Sequence, residues 1–246
     1  MVRTNEPDGS SRPRQAGPPL GVLAIVSAGL LVAGLAASAA LGGTFPSPQA
    51  DPTAIADYFA GRSDAVRALA VLAFGSSVPL AIYSATASAR LRQLGVTAPG
   101  ATIALAGGVL AAGALAASSL LQWTLSRPAV RGAGALVRAL QDLAFLAGGP
   151  AHVVFLGLLI AGVAVPGLLL ALLPRPVAIA GLAIAVLCEL TFLTMIWPAL
   201  APLLPIARYP GLAWLIIAGF QLPYRRPRTM TPAWSARLDH PLDSTA

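Results

Sequence analysis

The sequence predicts an all-α, polytopic transmembrane helix bundle with six spans and both termini in the cytoplasm. Three observations carry that expectation. Of 246 residues, 57% are hydrophobic and 10% are charged, whereas a water-soluble domain carries about 25% charged residues. The apolar residues lie in uncharged runs long enough to cross about 30 Å of hydrocarbon at roughly 1.5 Å per residue. Arginines and prolines punctuate the ends of those runs. So little charge cannot coat a globule of this size in water. A soluble enzyme, a disordered chain, a coiled coil and a disulfide scaffold are therefore excluded.

Residues 1–18 are polar and proline-rich and predict a disordered cytoplasmic segment. The first span follows at about 20–41. Ala37-Ser38-Ala39 resembles a signal-peptide cleavage site, but the apolar run exceeds the usual h-region of about 7–15 residues, so it reads as a span. Within 42–64, Asp51-Pro52 fits a helix start and Gly61 a stop. Ile55, Tyr58 and Phe59 would then give this short helix an apolar side to lie on the membrane surface, the alternative being a plain ordered loop. The second span, 68–89, is bracketed by Arg67 and Arg90. Pro79 predicts a mid-span kink, with Ser76 and Ser77 placed to serve the freed carbonyls.

The third span is 100–123. Ala104, Gly108, Ala112 and Ala116 recur every fourth residue and form a helix-packing stripe, a face through which a second copy would associate. Helical spacing resumes at Ala133 after a polar interval. One straight helix from 133 to 173 would be about 60 Å long. The expectation is a fourth span at about 150–173 with an interfacial or tilted helical approach. Pro174-Arg175-Pro176 makes a turn, since a proline-flanked residue cannot continue a helix. The fifth span, 177–197, contains Glu189. Pro198, Pro202, Pro205 and Pro210 punctuate an irregular connector, and the sixth span runs from about 205 to 222. Residues 224–246 form a disordered basic cytoplasmic tail in which Arg225, Arg226 and Arg228 either face anionic lipid phosphates or simply fix the topology.

Orientation follows from the basic residues. All 16 are arginine, which together with the Ala, Gly and Pro surplus suggests a GC-rich bacterial genome. With six spans, Arg90, Arg92, Arg175 and the terminal arginines outnumber those on the opposite side, so the positive-inside rule puts the termini in the cytoplasm of a bacterial plasma membrane. The basic balance does not indicate nucleic acid, because no basic face with interleaved aromatics exists.

The stretches FGSSVPLAIYSATASARLRQLG, ALVRALQDLAF and LLPRPVAIAGL resemble a bacterial group of six-helix integral membrane proteins classed as a domain of unknown function. The resemblance covers roughly residues 15–223 and departs from the group in the Gly-Gly-Pro interval before His152. It implies six helices in a bacterial plasma membrane and no transferable activity.

Among candidate functional residues, Glu189 is the sharpest, since an ionisable group within a span is a functional hypothesis by default. Counted from the flanking turns, Glu189 and Arg208 both lie about 20 Å up antiparallel neighbouring spans. Equal height predicts a membrane-embedded ion pair, either pinning spans five and six or letting Glu189 carry a proton in transport. Gln122, Arg138, Asp142 and His152 form a candidate polar cluster at the outer face. Two possible metal ligands are too few for a closed zinc site, and no HExxH spacing occurs. Ser76 and Ser77 lack a G-x-S-x-G context. Cys188 is alone, which excludes an intrachain disulfide. The expectation is a structural or accessory membrane subunit without catalytic residues, cofactor or metal. Its partners would be membrane lipids and a second copy or other membrane proteins. The alternatives are a small proton-linked transporter using Glu189 and a membrane enzyme built on Asp142 and His152.

Overall fold

Uncharged runs of this length leave every backbone polar group to be satisfied within its own helix, so an all-helical bundle is the expected solution. The computed structural model describes residues 17–42, 57–59, 61–130 and 134–224. Its helices are α1 (Leu20–Ala40), α2 (Ser63–Gln93), α3 (Gly100–Leu125), α4 (Gly134–Leu146), α5 (His152–Leu169), α6 (Arg175–Leu190) and α7 (Leu203–Gln221). Among the described residues, six helical runs are long and apolar enough to cross a membrane. α1 begins and α7 ends at the same side of the bundle, where a methyl group on Gly219 would lie 2.7 Å from the Gly21 nitrogen. That side is the terminal face, and the opposite side is the distal face.

The approach helix and the fourth span are one continuous run, Gly134–Leu169. α4 and α5 are joined by a five-residue π-helical turn, Ala147–Ala151, containing Gly148, Gly149 and Pro150. Proline has no N–H to donate, and two neighbouring glycines impose no side-chain crowding, so this sequence accepts the wider turn. α4 is two-faced: Val137, Gln141 and Ala144 are buried, whereas Leu136 and Leu143 are exposed. The fifth span regularises less than expected. α6 stops at Leu190 and the chain tightens into a 3-10 turn over Thr191–Met195.

Pro79 does not break α2, which runs unbroken from Ser63 to Gln93. Ser77 donates to the Phe74 carbonyl at 2.6 Å, one residue before the Gly75 carbonyl from which Pro79 withholds a donor. Ser76 has a different partner. Its hydroxyl donates to the Ser27 carbonyl at 2.8 Å, and the Ser27 hydroxyl donates to the Ser76 carbonyl at 2.9 Å. This reciprocal pair ties α1 to α2.

Small residues set the spacing of the central helices. A methyl on Gly162 of α5 would run into the Ala104 backbone of α3, and one on Gly108 into Ser84 of α2. The stripe Ala104, Gly108, Ala112 therefore packs inside the chain; Ala104 is 0% and Ala112 4% exposed. A second copy cannot use that face, which corrects the expected mode of association. Ala116, half-buried, sits at its distal edge. On the terminal side, Trp214 donates its indole N–H to the Val177 carbonyl at 2.7 Å, with its ring against Gly181. Arg90 stacks 4.0 Å over the Tyr224 ring.

The connector before α2 also differs from expectation. Phe59 does not lie on the membrane surface. It is buried with Val66, Leu125, Val130 and Val137 in a small apolar cluster that caps the distal face. Ile55, the N-terminal residues through 16, and the tail residues Arg225, Arg226 and Arg228 lie outside the described residues.

Candidate ligand-binding cavity

Five helical runs converge in the distal half of the bundle around a cavity of about 530 Å³, within the range of small-molecule sites. α1 contributes Leu31 and Leu35, and α2 contributes Leu69 and Ala73. α3 supplies Leu115, Ser118, Ser119, Gln122 and Leu125. α4 and the π turn supply Gln141, Ala144, Phe145, Gly148 and Gly149. The start of α7 and the turn before it close the ring with Ala201, Leu204, Pro205, Arg208 and Tyr209. The wall is largely apolar, with its polar groups drawn from α3, α4 and α7.

The polar side of the cavity is a connected network. Ser118 spends its hydroxyl proton on the Ala144 carbonyl at 2.7 Å. Its oxygen can then only accept, and it accepts from the Gln122 amide nitrogen at 3.3 Å. The Gln122 amide oxygen is buried without a hydrogen-bond partner, as is that of Gln141. Ser119 turns back on its own helix and donates to the Leu115 carbonyl at 2.8 Å.

Arg208 is positioned by the π turn. Backbone N–H groups at the end of that turn donate to the Ala147 and Gly149 carbonyls and pass over Gly148. The Gly148 carbonyl instead accepts a hydrogen bond from the Arg208 guanidinium. The Arg208 Nε has no hydrogen-bond partner. Among the described residues no acid lines the cavity, so the described wall carries one uncompensated positive charge.

The predicted ion pair between Glu189 and Arg208 is not formed: no contact within 4.0 Å joins them, and the salt bridges among the described residues are Asp64–Arg67 and Arg138–Asp142. Arg208 turns toward the π turn. Glu189 turns along α5, its carboxylate beside Gly157, and it does not line the cavity. Counting residues gives the height of a side chain but not the direction in which it leaves the helix. Cys188 fills a buried position and its thiol reaches the Ala207 carbonyl at 3.8 Å.

The outer-face cluster is also divided. Arg138 and Asp142 form a partly exposed pair at 3.1 Å, one helical turn apart. His152 is ten positions further on, about 15 Å along the helix, and fully buried. Its Nδ1 lies 2.9 Å from the Ala111 carbonyl of α3. Neither Asp142 nor His152 lines the cavity, and no group of three potential metal ligands occurs among the described residues. Of the four, only Gln122 belongs to the cavity.

Along the α4–α5 run the described cavity lining stops at Gly149, short of His152. The fully buried Leu156, Leu159 and Ile160 fill the bundle beneath the cavity, so it is a dead end toward the terminal face. Leu35 and Tyr209 line it yet remain 37% and 43% exposed. It therefore reaches the perimeter of the bundle between α1 and α7. Ser118, Ser119 and Gln141 escaped sequence reasoning, although polar residues at i, i+1 and i+4 in an apolar run are a visible signal for a wet helix face. The family models contain no match to this chain, and the curated proteins and the solved structures contain none either.

Proposed function

We propose that this multi-pass membrane protein is a non-catalytic accessory protein of a bacterial plasma membrane that binds a membrane-soluble small molecule in the distal cavity. The observation that carries this reading is convergence: Arg208, Gln122, Gln141, Ser118 and Ser119 meet on one cavity whose remaining wall is apolar. The cavity is closed beneath, which favours holding a ligand over passing it across. Both cavity serines have their hydroxyl protons engaged by backbone carbonyls, and among the described residues no histidine, aspartate or glutamate lines the site to act as a base. That set favours binding over chemistry. Glu189 lies away from the cavity, which weighs against the proton-linked transporter.

Native mass spectrometry of the full chain, stripped of lipid and then offered a bacterial lipid extract, tests the reading. The expected result is one retained lipophilic molecule per chain in the native protein and none in Leu31→Trp, which fills the cavity. No retained molecule, or equal retention by both proteins, overturns it.

A further inference from the structure

The cavity specifies what its occupant must carry. Arg208 brings a positive charge into a membrane-embedded space with no acid among the described residues of its wall. A lone charge out of water is costly unless paired, so the ligand has to supply an anion. The two glutamines make a second and separate demand. The Ser118 hydroxyl is committed to the Ala144 carbonyl, which fixes the Gln122 amide with its nitrogen toward Ser118 and its oxygen unpartnered. Gln141, 4% exposed, likewise holds an unpartnered amide oxygen. Two buried acceptors need donors, which a bare carboxylate lacks. The rest of the wall is mostly Leu, Ala, Gly and Phe, with Leu35 and Tyr209 at the perimeter where lipid tails run.

We propose that the occupant is a lipid-tailed amphiphile whose head joins one oxyanion to hydroxyl or amine donors. The oxyanion pairs with Arg208, the donors meet Gln122 and Gln141, and the tail leaves between α1 and α7 past Leu35 and Tyr209. This rests on the binding function proposed above.

Four probes with the same oleoyl chain separate the demands, measured by ligand titration on the full chain in neutral detergent. Oleoyl lysophosphatidylglycerol has both anion and hydroxyls, oleate only the anion, monoolein only the hydroxyls, and methyl oleate neither. The expected order places lysophosphatidylglycerol first and methyl oleate last, with the charge worth about tenfold or more in Kd. Arg208→Met removes the advantage of the two anions and leaves the hydroxyl advantage; Gln141→Leu does the reverse. Glycerol 3-phosphate, the head without a tail, is expected to compete at least about a hundredfold less well. Equal binding of all four oleoyl probes, abolished by Leu31→Trp, overturns the head-group inference while leaving a lipid-binding cavity. Binding of none of them overturns both. Glycerol 3-phosphate competing as well as the lysolipid overturns the tail.

Discussion

Arg208 donates a hydrogen bond to the carbonyl of Gly148, 60 residues earlier in the chain. The bond exists because the π turn releases that carbonyl from the helical ladder, and it holds the guanidinium at the edge of the distal cavity. The glycine is required on steric grounds as well, since a methyl at position 148 would run into the Ser118 hydroxyl. One backbone irregularity thus serves both the cation and the α3 network.

Arg208→Met tests whether this residue is kept for binding or for stability. Placing an arginine mid-span costs about 2.5–3.5 kcal/mol, while leaving one carbonyl unbonded costs roughly 1–3 kcal/mol. The first effect equals or exceeds the second. The substituted protein is expected to melt at the native temperature or slightly above it in detergent. A fall of about 4 °C, the equivalent of roughly 1 kcal/mol in a chain of this size, would show a structural strut instead.

The Ser27–Ser76 pair predicts coupling between α1 and α2. Ser76→Ala is expected to cost about 1 kcal/mol, since interhelical hydrogen bonds in membranes measure roughly 0.6 to 1.7 kcal/mol. Ser27→Ala added to it should cost less than it does alone. Unfolding free energies of the two single variants that simply add would remove the pair as a stabilising unit.

Two glycine substitutions of the same size should diverge. Gly162→Leu drives a side chain into the Ala104 backbone, whereas the Cβ of Gly113→Leu meets nothing within 4 Å. The first should abolish a monodisperse folded peak in size-exclusion chromatography, and the second should leave it intact. A damaged Gly113→Leu protein would mean that its face packs against a partner.

Asp142 and His152 are expected to behave as unrelated residues. Asp142→Ala removes a partly exposed i, i+4 pair worth about 0.3–0.5 kcal/mol. His152→Ala leaves a cavity in the α3–α5 interface and should cost about 2 kcal/mol or more. Thermal unfolding of the single and double variants checks this: a strongly non-additive double variant would restore them as one functional unit.

Tyr58, in the connector outside the spans, has its phenol pushed above the ordinary tyrosine value by burial, against the opposing pull of the Ser38 hydroxyl and the Arg62 charge. A raised value means that the folded state favours the neutral phenol. Its contribution to stability is therefore full below about pH 10 and is lost as pH rises through the raised value. The difference in unfolding between the native protein and Tyr58→Phe should be constant at neutral pH and change only above that range. A change at neutral pH would refute it.

The sequence by itself determined the helical, membrane-spanning architecture, because apolar run length is a local quantity and hydrocarbon thickness is fixed. It also predicted matching heights for Glu189 and Arg208 from the α-helical rise per residue. Only the tertiary structure decided which polar groups meet. Each residue turns a helix by about 100°, so the π turn at Ala147–Ala151 and the 3-10 turn at Thr191–Met195 shift the facing of the elements they join. Facing aimed Arg208 at the π turn and Glu189 along α5 and brought Gln122, Gln141 and Arg208 to one wall, whereas Asp142 and His152 lie apart because ten positions separate them.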